Sequence, residues 1–287
     1  MLIKHQHHSS YYGADVSSVI KYTKEVILNK TWFITGCSRG LGRIWAKAAL
    51  ERGDNVIATA RNEKDLDDLK MNFNNILPVK VDVIDRSAIR NAIAIGIKHF
   101  GRIDIVINNA GYGLFCPVES ATESEAKQIF ETNFFGSLNV IQEVLPMLRK
   151  QKSGHIIQIS SIAGLLALPG IGLYNATKWA TEGLLESLQN EVKDFGINVS
   201  IVEPGPHATD WIGESSVRPE NSDIYPTTEE FMNKYWPIFP LSQPDSAVEP
   251  LLKLVDSPNP PLRLLLGEGL QDNICKALHQ RSIDLEK

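Results

Sequence analysis

From Thr31 onward the chain alternates. Short runs rich in β-branched and aromatic residues are each followed by a stretch whose apolar residues recur every three to four positions. The runs expected as strands are 31–35, 55–60, 79–83, 104–108, 155–160, 198–203 and 262–266. Between them the spacing predicts a helix carrying Leu41, Ile44, Trp45 and Ala48 on one face with Gly53 as its C-cap, then a polar helix, then one over 87–100 closed by Gly101. Two longer helices are expected. One covers 123–148, with Phe130, Phe134, Leu138, Ile141, Leu145 and Leu148 on one stripe, and the other covers 174–192. Apolar strands alternating with helices require a parallel sheet covered on both faces, because each βαβ crossover lays a helix over the sheet. The expected fold is a single doubly wound α/β unit over 31–270, preceded by an extension (1–30) and followed by a helix or tail (271–287). No repeat or linker interrupts it.

Composition narrows the function. With 43% hydrophobic and 22% charged residues the chain is an ordinary globular one, and 29 basic against 34 acidic residues give a net charge of −5. No basic surplus points to nucleic acid or an anionic membrane. The longest apolar run, 162–173, is too short to span a bilayer and contains Pro169. Cys37, Cys116 and Cys275 are odd in number and widely spaced, which fits reduced thiols better than a disulfide framework or a zinc site. The first thirty residues lack both a signal-like apolar stretch and arginine, and a cytoplasmic protein is expected. Val16, Val19, Ile20, Val26 and Ile27 allow a short docked helix there. His5, His7 and His8, without nearby Cys or carboxylate partners, read as a tail rather than a metal site.

The first chemically informative stretch is the turn between the first strand and the first helix: Thr35, Gly36, Cys37, Ser38, Arg39, Gly40, Leu41 and Gly42. Glycines let the backbone turn sharply and approach a pyrophosphate, and the helix N-terminus beyond offers unpaired N–H groups and a positive dipole end. The spacing is GxxxGxG, and the strand before it and the amphipathic helix after it favour a phosphate cradle over a plain connection. At the end of the second strand, where an NAD site places an acid for the ribose hydroxyls, the chain reads Ala58, Thr59, Ala60, Arg61. Arg61 and Arg39 could instead grip a 2′-phosphate with their planar forks, favouring NADP(H) over NAD(H).

Tyr174 and Lys178 stand four apart on an expected helix, separated by ~6 Å of rise on one face, so both can address one pocket. A tyrosine working near neutrality must have its pKa lowered by about 2–3 units from ~10, which is about 3–4 kcal/mol of differential stabilisation of the phenolate. A neighbouring ammonium and a cationic nicotinamide could supply it. Ser161, at the end of a strand, is placed to donate to a carbonyl's developing oxyanion.

Together these residues resemble the short-chain dehydrogenase/reductase family in its common form of about 250 residues, over roughly 31–266 and through six ordered motifs. TGCSRGLG matches the family's TGxxxGxG. Asp82, followed by Val83 in VDV, matches the adenine-contacting aspartate. Asn108-Asn109-Ala110-Gly111 matches NNAG, and Asn133 in ETNFFG matches the tetrad asparagine. Ser161, Tyr174 and Lys178 match the other tetrad members at the family's interval, and Pro204-Gly205 with Thr209 matches PGxxxT beside the nicotinamide. The resemblance implies a Rossmann fold and a cofactor site built from these motifs. It implies Tyr174 as general acid or base, Lys178 holding the nicotinamide ribose and lowering the tyrosine's pKa, Ser161 polarising the substrate oxygen, and Asn133 supporting a proton relay to Lys178. It also implies hydride transfer to or from a carbonyl or alcohol carbon. Gln158 stands where relatives often carry asparagine, and His207, after Pro206, reads as a solvated loop residue.

The segment after Pro204, about 206–245, is expected to cover the substrate. Its Trp211, Tyr225, Phe231, Tyr235, Trp236 and Phe239 suit either an apolar pocket or simple packing. The resemblance also implies a homodimer or homotetramer built on the two long helices. The partners expected are thus a small carbonyl or alcohol substrate and further copies of the chain, with no nucleic acid and no membrane span. The alternatives are a 3-oxoacyl-thioester reductase and a non-catalytic nucleotide sensor.

Overall fold

The computed structural model describes residues 29–211, 213, 216–218, 225–230 and 240–286. The suggested helix and histidine tail of the first 28 residues, and Phe231, Tyr235, Trp236 and Phe239, lie outside these.

Along the chain run β1 (Thr31–Ile34), α1 (Gly40–Glu51), β2 (Asn55–Ala60), α2 (Asp67–Asn72), β3 (Ile76–Lys80), α3 (Arg86–Phe100), β4 (Ile105–Asn108), β5 (Gly113–Leu114), α4 (Glu123–Phe130), α5 (Gly136–Gln151), β6 (Gly154–Ile159), α6 (Gly172–Val192), β7 (Ile197–Pro204), β8 (Ser216–Val217), α7 (Pro226–Glu230), α8 (Val248–Asp256), β9 (Arg263–Leu266) and α9 (Gln271–Leu285). Seven strands form one sheet in the order β3-β2-β1-β4-β6-β7-β9, every pairing parallel. The expected doubly wound sheet is the one observed. β5 and β8 pair separately, Gly113 with Ser216 and Leu114 with Val217.

The side-chain alternation of β1 explains the two layers. Trp32 and Ile34 face one core with Trp45 of α1 and Leu251 of α8, whereas Phe33 faces the other with Ile89 of α3, Val144 of α5 and Leu185 of α6. The two indoles are anchored by their polar edges, Trp32 Nε1 on Asp54 (2.8 Å) and Trp45 Nε1 on the Ala247 carbonyl (3.0 Å).

Two expectations shift. The third strand starts at Ile76 rather than 79, pairing Ile76 through Lys80 with Val56 through Ala60. It contains Pro78, which an edge strand tolerates because its missing N–H belongs to no ladder. Val81 to Val83 lie beyond the strand, which leaves Asp82 in the turn at the sheet's carboxyl end. The long helix expected over 123–148 is broken by a π turn at 131–135, capped upstream by the Thr122–Glu125 capping box. The expected stripe is still turned inward, Ile141 and Leu148 buried and Phe130, Phe134, Leu138 and Leu145 half-buried, and the buried face also takes in Ile129, Asn133, Ser137, Val140 and Val144, while Phe135 is exposed.

Candidate active site

A cleft of about 670 Å³ opens at the carboxyl ends of the strands, where the order reverses between β1 and β4. At one end, Gly36 (φ 73°) and Gly40 (φ 59°) take the left-handed conformation that glycine adopts without strain, and they carry the chain from β1 into α1. Arg39, at the N-cap, is extended and makes no capping hydrogen bond, so the first N–H groups of α1 face the cleft uncapped. A Cβ on Gly40 would meet nothing nearer than Thr209 at 4.0 Å. This open, N–H-lined cradle fits a pyrophosphate.

The motifs interlock behind that turn. Thr35 Oγ1 accepts from the backbone N–H groups of Asn109 (2.9 Å) and Ala110 (3.0 Å), and Asn109 Nδ2 donates to the carbonyls of Thr35 (2.8 Å) and Gly36 (3.1 Å). Gly42 does not line the cleft. A Cβ there would stand 2.3 Å from Asn109 Nδ2 and 2.4 Å from the Gly36 carbonyl, so its bareness lets α1 close on the turn. Ser38, Arg39, Leu41, Arg61, Asp82, Val83, Ala110 and Gly111 do line it, Arg61 directly after β2 and with no acid at the strand's end.

At the other end β6 delivers Ser160 and Ser161 from its tip, and α6 supplies Tyr174 and Lys178 one turn apart. The Ser161 hydroxyl, which accepts from the Ala163 N–H (3.1 Å) and donates to the Pro204 carbonyl (3.5 Å), lines the same end of the cleft as the Tyr174 phenol. Lys178 Nζ donates to the Ile159 carbonyl (2.9 Å) and lies 5.6 Å from the centre of the Tyr174 ring. Both are buried, Tyr174 4% and Lys178 5% exposed. Burial drives the phenol upward in pKa, opposed by the Ser161 hydroxyl, and brings the lysine down to about 8, opposed by the Glu182 carboxylate. In the protein alone, then, the phenol lies above its ordinary range, opposite to the lowering that turnover requires. Pro204, Gly205 and Thr209 border the same end.

Asn133 stands behind the cleft wall. Its Oδ1 accepts from the Tyr112 N–H (3.0 Å), and its Nδ2 donates to the Tyr112 carbonyl (2.9 Å) and Thr177 Oγ1 (3.3 Å), while Thr177 Oγ1 donates to the Tyr174 carbonyl (2.8 Å). The asparagine thus pins the loop after β4 to the tyrosine's helix. His207 departs from expectation: it is 5% exposed, with Nδ1 donating to the Gly205 carbonyl (2.8 Å). Gln158 is a core residue bonded to the Asn108 carbonyl (3.2 Å) and Ser137 Oγ (3.3 Å). Trp211 lines the cleft, its ring tilted against Tyr174 (5.1 Å between ring centres) and edge-on to the buried Phe115 (5.2 Å). Sequence reading passed over Glu182, whose signal was a carboxylate on the apolar face of α6, one turn from Lys178.

The short chain dehydrogenase family model matches residues 30–219. Oxidoreductase BOA17 of Botryotinia fuckeliana is 41% identical over 266 residues, 91% of this chain and 97% of its own. The chain belongs to the short chain dehydrogenase family. As such it is an NAD(P)-dependent oxidoreductase. Among its other relatives in the family, the 3-ketodihydrosphingosine reductase of Bacteroides thetaiotaomicron is 34% identical over 85% of this chain and 90% of its own. A short-chain dehydrogenase structure from Streptomyces avermitilis superposes with a TM-score of 0.84 at 34% identity, covering 91% of this chain and 96% of that one. No helix among the described residues of this dehydrogenase is long and apolar enough to cross a membrane.

Proposed function

We propose that the protein is an NADP(H)-dependent reductase or dehydrogenase acting on a ketone or secondary alcohol with an apolar body. The observation that carries this reading is that a serine hydroxyl, a phenol and an ammonium line one end of a cleft whose other end is the bare glycine turn leading into α1. The cradle of Gly36, Ser38, Gly40 and Leu41 would hold the pyrophosphate, Asp82 and Val83 the adenine, and Arg39 and Arg61 the 2′-phosphate. Asn109, Ala110, Gly111, Pro204, Gly205 and Thr209 would flank the rest, with Gly42 shaping the turn. A nicotinamide bound there supplies or accepts the hydride.

The remaining steps belong to the chain's own side chains. Ser161 donates to the substrate oxygen, and Tyr174 gives that oxygen its proton in reduction or takes it in oxidation. Lys178 places a positive charge beside the phenol and thereby favours the phenolate. Asn133 fixes the relative position of the loop after β4 and α6. Trp211, backed by the buried Phe115, gives the cleft an apolar wall that suits a hydrophobic substrate, and the ketone in the Bacteroides relative's name agrees with a keto group on such a body. A 3-oxoacyl thioester remains the second substrate class, and all four tetrad residues speak against a mere sensor. We further propose a homodimer or homotetramer, and a cytoplasmic setting supported by free thiols at Cys37, Cys116 and Cys275.

The test follows absorbance at 340 nm with NADPH and NADH over ketones from small to steroid-sized. Wild type is expected to turn over, and Tyr174→Phe to lose about 10²–10⁴-fold in kcat while still binding cofactor. An unchanged rate in Tyr174→Phe overturns the reading.

A further inference from the structure

One helical turn beyond Lys178, Glu182 is 5% exposed. Its Oε2 is paired with Nη1 of Arg263, which comes from the last strand, β9. The same guanidinium also holds Glu203 of β7, buried, and Glu186 of α6, exposed. Three carboxylates therefore share one guanidinium, and the Lys178 ammonium, one helical turn back on α6, is beyond ion-pair distance of Glu182 but feels its charge. The second oxygen of Glu182 has no hydrogen-bond partner and points to Gly164, where a Cβ would stand 2.8 Å from it and 2.7 Å from Ser160 Oγ, itself buried and unpartnered. The carboxylate is thus turned toward the tip of β6, on the side of the reacting groups, and not to solvent. We propose that Glu182 is a positioning residue: held by Arg263 one turn beyond Lys178, its carboxylate is the counter-charge that maintains the ammonium in a buried site. The proposal rests on the assignment of Tyr174 and Lys178 made above.

The titratable and charged groups around this turn are Tyr174, Lys178, Glu182 and Glu186 on α6, Glu203 on β7, Arg263 on β9 and Arg281 on α9, whose guanidinium lies 4.2 Å from the centre of the Trp179 ring and donates to the Leu165 carbonyl (2.6 Å). From β6 and the residue after it come the Ile159 carbonyl and the Ser160 hydroxyl, both uncharged. Glu203 is itself pushed up to about 7, by burial first and then by Glu182, which agrees with an excess of negative charge at the cluster. Removing a negative charge from such a site makes proton loss easier for the Tyr174–Lys178 pair as a whole, whichever member gives up the proton.

The experiment measures the pH dependence of kcat and, separately, of NADPH binding by cofactor fluorescence, for the full chain and its variants, each checked by thermal melting. Glu182→Gln is expected to move the alkaline limb of both profiles down by about one pH unit, a tenfold change in the proton equilibrium. Glu182→Asp, which keeps the charge, should leave the limb near wild type, and Arg263→Gln, which removes the competing cation, should move it up. Equal losses of activity in Glu182→Gln and Glu182→Asp with unmoved limbs would show a packing role only and overturn the proposal. If Glu182→Gln does not fold, an Arg263→Gln limb that stays in place or moves down overturns it alone. Full activity in Tyr174→Phe would instead remove the underlying assignment, so the two failures are distinct.

Discussion

Arg61 is exposed, follows β2 directly and lines the cleft where an acid would serve an NAD ribose. Arg61→Ala should therefore raise the Kd for NADPH by about tenfold or more, the weight of one charge-assisted phosphate contact, and leave NADH nearly unchanged. Titration of both cofactors by fluorescence quenching checks this, and equal weakening of the two would remove the 2′-phosphate role. At this scale the sequence was most informative where the backbone itself is the reagent: bare glycines, a strand-end arginine, a helix-borne Tyr–Lys pair. It was least informative where a side chain's direction depends on packing. Asn133 and Gly42 belong to the site by motif, yet both face away from the cleft, one into a loop and one into a turn. His207 is buried because its strand-end backbone pairs with Ser242, a contact thirty-five residues away.

Among the elements, the strands and the helices of the expected alternation were legible, since period-2 and period-3.6 patterns are local. The π turn was not, because one added residue in a helical turn leaves the spacing of neighbouring apolar residues close to regular. The edge position of β3 was hidden for a related reason: Pro78 is acceptable only once the partner on its far side is known to be missing. β6 carries a pH-sensitive group of its own. His155 is 4% exposed, its Nε2 is 2.9 Å from Ser200 Oγ, and that hydroxyl donates to the Pro261 carbonyl, so the imidazole must be the donor. Burial lowers its pKa to about 4, with the Lys30 charge adding to the effect. Because the folded value lies below the unfolded one of ~6.5, stability is complete above that pH and falls as acid is added toward pH 4, by on the order of 3 kcal/mol. Melting curves across pH 7 to 4 should show a shallower decline for His155→Gln than for wild type, and parallel declines would exclude the histidine as a cause.

For the molecule as a whole, Phe135 at the π turn, Trp179 on α6 and Phe195 just after it are each at least 40% exposed on the helices expected to pair between subunits. Light scattering should give a dimer or tetramer mass at micromolar concentration, and a monomer would refute the assembly. The topology has another consequence, which concerns synthesis order. Glu182 and Glu203 are made before Arg263, and β9 is the last strand of the sheet in chain order. The two carboxylates at the helix bearing Tyr174 and Lys178 thus take their shared guanidinium from the last-made strand. The candidate site therefore draws on both ends of the chain, its glycine turn from the first strand–helix unit and its outermost guanidinium from the last strand, so a fragment ending before residue 263 lacks the partner of Glu182 and Glu203.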